Sequence, residues 1–366
     1  MQTYYWKLQN NGEDAEVIAK AAELIQKGEV VAFPTETVYG LGADGLNSEA
    51  VAKIFAAKGR PNDNPLILHI ADKESINQLT SGLTDNAKVL MERFWPGPLT
   101  LIVAKSAIVP DAVSAGLPTV AVRFPSNTFA QSLIKASGCP IAAPSANISG
   151  RPSPTNAADV MEDMQGKVAA VLDGGSCGIG LESTVVDTTE PVPVILRPGG
   201  ITYEMLTEVL GAVEIDPALQ GDKNFKPKAP GMKYRHYAPK APMYLLEGKS
   251  AALLPSMVAK AAAEGLKVGV LCSSSMKALL PEIQDLQLAC WGDSKQALAA
   301  ELFYLLRDFD RTKPDVILAE GIDESGIGLA VMNRMRKAAG YQLVTLTDAG
   351  SRRPSGLRKT TCDPNS

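Results

Sequence analysis

The sequence predicts a two-domain α/β protein, with a larger first domain (residues 1–213) on a twisted mixed sheet and a smaller second domain (residues 243–348) on a parallel one. Three observations carry this. The chain has 366 residues, and roughly 100–200 residues make a domain. Apolar strand-like runs alternate with amphipathic helical stretches in both parts. In the first part some runs follow one another across short turns, as a mixed sheet allows, whereas the second has the strand–helix rhythm of parallel units. Between residues 214 and 242 the periodicity fails, and Lys223, Lys226, Lys228, Lys233, Arg235 and Lys240 gather among prolines, which is the composition of a basic linker.

Taken in order, residues 14–27 place Val17, Ile18, Ala21, Leu24 and Ile25 on one helical stripe, with Asp14 as N-cap and Gly28 just past the end. The run 30–33 is a β-branched and aromatic strand, and Asn47 or Ser48 caps a second helix reaching Phe55. Residues 65–71, 99–104, 119–125, 140–145, 169–173, 183–187 and 192–198 read as strands, with helices starting near Thr84, Asn127, Thr155 and Thr202. Beyond the linker, MYLLE, KVGVLC, LQLACW and DVILAE are strands, and helices begin near Ser250, Ser275, Ser294 and Gly326. Residues 349–366 have no apolar face and predict a mobile tail.

Composition narrows the function classes. Apolar residues make up 45% and charged residues 21%, which excludes a disordered chain. The apolar stretches fall far short of the roughly 18 residues of a membrane span, and the start MQTYYWKLQN has no secretory apolar region. A cytoplasmic protein without membrane contact is the expectation. Cys139, Cys177, Cys272, Cys290 and Cys362 form no CxxC or CxxH pair, so neither a disulfide framework nor a zinc knuckle is expected. With His69 and His236 as the only histidines, chemistry must lean on Lys, Arg, Ser, Thr and carboxylates. Residues 1–212 carry 15 basic and 23 acidic side chains, while 213–366 carry 21 and 17, so the positive excess lies in the linker and tail.

Two motifs mislead. GLGADG (Gly40, Gly42, Gly45) matches GxGxxG, but TETVY separates it from the preceding strand and the helix starts after it. A tight structural turn is the better reading than a nicotinamide-dependent oxidoreductase. EGKS (247–250) ends like a phosphate loop but has Met243 where the first glycine belongs.

Polar residues instead cluster at strand ends in the first domain, in FPTETVYGLG, KGRPNDNPL, PSANISGRPSPT, ESTVVD and LRPG, where open α/β sheets bind ligands. Lys58 and Arg60 offer a point charge and a planar fork to one anion, or else a solvated helix end. Ser145 and Asn147 stand in a proline-stiffened loop, where a turn serine is the plain alternative. Arg123 closes an apolar strand and needs an anionic partner, either a protein carboxylate or a ligand carboxylate. His69 reads as a core histidine, and Thr37 and Ser183 as capping hydroxyls. KYRHYAP (233–239) alternates cation and ring, as a solvated segment or as a strap over a nucleotide. The residues alone stop at an anion-binding α/β protein.

Taken together, FPTETVYGLG, KGRPNDNPL, PSANISG, ESTVVD, LRPGG, APGMKYRHYAP and GIDESGIGLAVMNRM resemble the motifs of the threonylcarbamoyl-adenylate synthases, the YrdC-like family in its two-domain form, over roughly residues 10–345. The resemblance implies a YrdC-like domain with a concave cavity and a Rossmann-like second domain. It implies that L-threonine, bicarbonate and ATP give threonylcarbamoyl-AMP and pyrophosphate, with the product passed to a transferase system that makes threonylcarbamoyladenosine beside the tRNA anticodon. Lys58, Arg60, Ser145 and Asn147 match its catalytic positions. ATP contacts fall on Arg60, Asn64, Thr119, Ser145, Ser153, Arg197 and Tyr234, and threonine contacts on Thr37, His69, Arg123, Ala143 and Ser183. Mg²⁺ is expected to arrive on the ATP phosphates, with no protein metal ligands. Arg123 would clamp the threonine carboxylate, and His69 or Thr37 would take the amine or hydroxyl. Either the threonine amine attacks bicarbonate first or bicarbonate is activated first. Because a mixed anhydride is labile in water, the linker is expected to fold over the nucleotide through Tyr234 and Tyr237, with the second domain as a lid. A non-enzymatic RNA-binding module is the other class in view. The acidic first domain speaks against it, leaving weak tRNA contact as the residual expectation.

Overall fold

The computed structural model of the protein describes residues 2–9, 11–220 and 237–344. The first part runs β1 (Tyr4–Lys7), α1 (Asp14–Gln26), β2 (Val31–Phe33), β3 (Gly40–Asp44), α2 (Ser48–Lys58), β4 (Ile67–His69), α3 (Ile76–Leu79), β5 (Thr80–Gly82), α4 (Asp85–Phe94) and β6 (Leu99–Lys105). It continues through α5 (Asp111–Ser114), β7 (Thr119–Arg123), α6 (Thr128–Ser137), β8 (Ile141–Ala142), α7 (Ala157–Met164), β9 (Ala170–Asp173), β10 (Thr184–Asp187), β11 (Val194–Arg197), α8 (Tyr203–Leu210) and β12 (Glu214–Ile215). The second part is β13 (Met243–Leu246), α9 (Leu254–Ala263), β14 (Val268–Cys272), α10 (Ser274–Lys277), β15 (Gln287–Cys290), α11 (Lys295–Thr312), β16 (Val316–Glu320), α12 (Gly328–Ala338) and β17 (Leu343–Val344).

Five helix starts follow the expected capping side chains, whereas α1 has Glu13 as its N-cap without a side-chain bond, and the expected cap Asp14 is its first helical residue. Asn47 accepts from the backbone N–H groups of Glu49 and Ala50, and Thr84, Asn127, Thr202 and Ser294 cap their helices in the same way. For α7 the cap is Asn156, one residue beyond the expected Thr155. The 12 strands of the first part form one sheet in the order β1-β9-β2-β3-β8-β4-β7-β6-β10-β11-β12, with β5 beside β6. Its pairings are mixed: β4 and β7 are parallel, β7 and β6 antiparallel. The second sheet, β15-β14-β16-β13-β17, is parallel throughout. Both expectations of sheet type are met.

Three expectations are corrected. The linker starts later than residue 214, because β12 pairs with β11 and extends the first sheet. GLGADG is not a turn but mostly the strand β3. At Gly42 an added Cβ would lie 2.7 Å from both Phe33 and Ile141, so that glycine makes room for packing and carries no phosphate.

The second domain is also no loose lid. Its core takes in Val38, Leu181 and Tyr237 from outside its own sheet. Arg307 of α11 donates to Asp163 of α7 at 2.8 Å with both side chains fully buried, and Arg334 of α12 reaches Glu182 at 3.1 Å. Swinging the domain away would strand these charges in an apolar interface.

Candidate active site

The ends of β2, β4, β7, β8 and β11 and the start of β10 converge on one cleft. Its wall includes Thr37, Lys58, Arg60, His69, Arg123, Ala143, Ser145, Asn147, Ser183 and Arg197. Ten sequence-predicted positions from seven separate segments therefore share one cavity.

Helix α2 delivers the first pair. Gly59 ends the helix in the left-handed region at φ 60°, which a glycine adopts without strain, and the chain turns so that Arg60 leaves the helix axis. Lys58 Nζ donates to the Ser145 carbonyl and, at 2.6 Å, to the Asn147 carbonyl. Its ammonium holds the PSAN loop rather than standing free. Burial and then the Arg60 charge push its pKa well below the ordinary lysine value. Arg60 donates to the carbonyls of Asn64 and Pro65 at 3.0 and 3.3 Å, which fixes its plane. Ser145 Oγ donates to Asn147 Oδ1 at 2.5 Å, and the Asn147 amide donates to Ile148 and Arg151 carbonyls.

A second group surrounds Arg123. Its Nη2 lies 2.7 Å from Glu36, and Nη1 donates to Thr37 Oγ1 at 2.8 Å, which is in turn 2.8 Å from Thr35 Oγ1. The anionic partner is thus a protein carboxylate, Glu36, a residue that sequence reasoning missed because nothing in FPTETVYGLG marks that glutamate as buried. Burial alone would raise the Glu36 pKa, but the Arg123 charge outweighs it and holds the carboxyl ionised below its usual range. His69 is buried with Nδ1 3.3 Å from the Ile141 carbonyl and its ring edge-on to Phe33. Burial, then Arg123, drive its pKa down to about 3, so the imidazole in this cavity is neutral.

The third group crosses β10 and β11. Arg197 donates through Nε and Nη2 to the carbonyl and hydroxyl of Ser183, both at 3.0 Å, and that hydroxyl is 2.7 Å from Thr100 Oγ1. Glu182 also lines the cavity, as does Tyr237, the described end of the linker. Tyr237 hydrogen-bonds Glu182 and stacks on Phe303 of the second domain.

Some predicted residues stand elsewhere. Thr119 opens β7, four residues before Arg123, or about 13 Å along the strand at ~3.3 Å per residue, and is not part of the wall. Ser153 lies behind it, its hydroxyl donating to Glu182 at 2.7 Å. Asn64 is buried beneath Arg60. Tyr234 lies outside the described residues, as do His236, most of KYRHYAP and the tail. The cavity carboxylates Glu36 and Glu182 are already engaged by Arg123 and Arg334, and no cluster of metal-ligating side chains occurs among the described residues.

Sequence comparison sets this geometry among known proteins. Residues 23–199 match the family model described as "Telomere recombination", and residues 201–340 match "Threonylcarbamoyl-AMP synthase, C-terminal domain". The chain is 52% identical over 327 residues to the threonylcarbamoyl-AMP synthase of Pyrococcus abyssi, covering 88% of this chain and 94% of that one. The chain belongs to the threonylcarbamoyl-AMP synthase family. The Bacillus subtilis member is 49% identical, with 89% of this chain and 94% of that one aligned. The crystal structure of P. abyssi Sua5 complexed with L-threonine superposes with a TM-score of 0.88 at 49% identity, covering 94% of this chain and 99% of that one. The two chains thus share this architecture along nearly their whole length. No helix among the described residues is long and apolar enough to cross a membrane.

Proposed function

We propose that the chain makes threonylcarbamoyl-AMP from L-threonine, bicarbonate and MgATP, releasing pyrophosphate, within this cavity. The observation that carries the reading is one wall bearing three separate hydrogen-bonded cationic groups: Lys58 with Ser145 and Asn147, Arg123 with Thr37, and Arg197 with Ser183. The reaction brings together a triphosphate, a carboxylate and a carbamate. Only a strongly cationic, water-poor cavity holds three such anions together.

Attack of the threonine amine on bicarbonate forms a C–N bond and expels water. A carbamate oxygen then bonds the α-phosphorus while the bond to the β-phosphate oxygen breaks, and pyrophosphate leaves with that electron pair. Positioning and charge stabilisation carry such a transfer. Lys58 and Arg60 flank the loop whose Ser145 and Asn147 face the cavity, and these four take the phosphates. With both cavity carboxylates in ion pairs, Mg²⁺ would come with the ATP phosphates, where it would neutralise their charge.

Arg123, with Nη2 on Glu36, Nη1 on Thr37 and Nε on the Gly97 carbonyl, gives the threonine carboxylate the donor capacity those contacts leave rather than a bidentate clamp. His69 and Thr37 divide the amine and hydroxyl as neutral hydrogen-bonding groups, and Ala143 contributes backbone and van der Waals contact. The product serves a transferase system acting on tRNA. Incubation with ATP, L-threonine and ¹³C-bicarbonate tests the reading. Mass spectrometry should find labelled threonylcarbamoyl-AMP, and AMP appearing without labelled product would contradict it.

A further inference from the structure

The motif GIDESGIGLAVMNRM lies in the second domain and takes no part in the mechanism above. Its arginine, Arg334 on α12, is fully buried. Nε donates to Glu182 at 3.1 Å and Nη1 donates to the Pro198 carbonyl at 2.6 Å. These are the residues immediately before Ser183 and immediately after Arg197, so one guanidinium from the second domain ties together the two segments that carry the third cationic group. The segments could not cross more closely. An added Cβ at Gly199 would lie 2.6 Å from the Glu182 carbonyl oxygen.

Glu182 is the key to what Arg334 does. It is a buried carboxylate on the wall of a cavity proposed to receive a triphosphate, and Arg197 is its near neighbour through Ser183. Burial would raise its pKa, but the Arg334 charge and then that of Arg197 pull it down to about 2, so it is ionised at neutral pH. An ionised carboxylate there either binds a protein cation or takes one that the substrate needs. Ser153 and Tyr237 satisfy it with hydrogen bonds but cannot neutralise it. Lys337, one turn along α12 in the same cluster, is pushed down to about 7 by burial and then by Arg334, so it carries only part of a charge at neutral pH.

We infer that Arg334 is a positioning residue for ATP, supplied by the second domain, which engages Glu182 and so leaves Arg197 available to the nucleotide phosphates. The second domain then completes the cavity's electrostatics from behind instead of closing over its mouth. The inference rests on the synthase reading for its substrate.

Steady-state kinetics of the full chain test it. Arg334→Gln should raise KM for ATP at least about tenfold and change KM for threonine less than about twofold, because only the Arg197 group is disturbed. Adding Glu182→Gln removes the competitor for Arg197 and should return KM for ATP to within about threefold of the unmodified chain. A merely structural role predicts another pattern: both KM values moving together, or no recovery in the double variant. Either result overturns the inference, as does an unchanged KM for ATP in folded Arg334→Gln.

If Arg334→Gln alone fails to fold, the double variant, which removes both members of the Arg334–Glu182 pair, decides against the unmodified chain, with a rise of about tenfold or more in KM for ATP overturning the inference. An unmodified chain that releases no pyrophosphate would contradict the synthase reading instead. Calorimetric titration of the same variants with ATP then judges the inference by the same fold-changes in Kd.

Discussion

At the scale of single residues, burial decides what each cavity side chain can do. His69 has the residue type of a general base, yet its imidazole sits in an apolar strand with its pKa down at about 3. It therefore stays neutral through the physiological range, and in the proposed reaction it would bind threonine without titrating. His69→Gln should raise KM for threonine roughly tenfold while leaving the pH dependence of kcat between pH 6 and 8 unchanged in shape. A lost inflection near neutrality would show that the imidazole titrates after all. The same shift bears on stability. The folded pKa of about 3 lies below the ordinary 6.5, so between those values the unfolded chain binds more protons and stability rises with pH. Urea midpoints from pH 4 to 7 should rise less steeply in the glutamine variant.

At the scale of elements, the site depends on where helices begin and end. Asn47 caps α2, Gly59 closes it, and Lys58 and Arg60 flank that closure, so the cap at one end fixes the register of the cations at the other. Asn47→Ala should cost about 1 kcal/mol of stability, read as a shift in urea midpoint, with pyrophosphate release retained in the folded enzyme. These features were readable in the sequence because capping residues, apolar stripes and terminal glycines are local signals. The elements that escaped have weaker ones. Strand β1 (Tyr4–Lys7) is an exposed edge with no alternation of burial, and β3 is masked by its glycines, whose use is to admit Phe33 and Ile141. Nothing in the local sequence marks Glu36, Glu182 and Asp163 as buried. Their partners lie 87 to 152 residues away in Arg123, in Arg307 and in Arg334, and no local pattern carries that distance.

At the scale of the molecule, two helices of the second domain are fastened to the loops of the first. Arg307 holds Asp163 and, through Nη2 at 2.7 Å, the Pro152 carbonyl at the end of the Ser145 loop. Arg334 holds the crossing of β10 and β11. The lability of the mixed anhydride suggested a lid, but buried charge pairs make this interface a fixed wall. Arg307→Ala should cost about 3 kcal/mol, because Asp163 keeps Arg151 as a partner but loses its buried one. Chemical denaturation of the full chain checks this, and a loss below about 0.5 kcal/mol, typical of surface pairs, would favour a loosely docked lid.

The central claim, that one cationic cavity couples three reactants through their anionic groups, is tested most directly by the initial rate of pyrophosphate release with each substrate omitted in turn. The account predicts release only when ATP, L-threonine and bicarbonate are all present, and its loss in Lys58→Ala. Release from ATP at an equal rate without threonine or bicarbonate would contradict it.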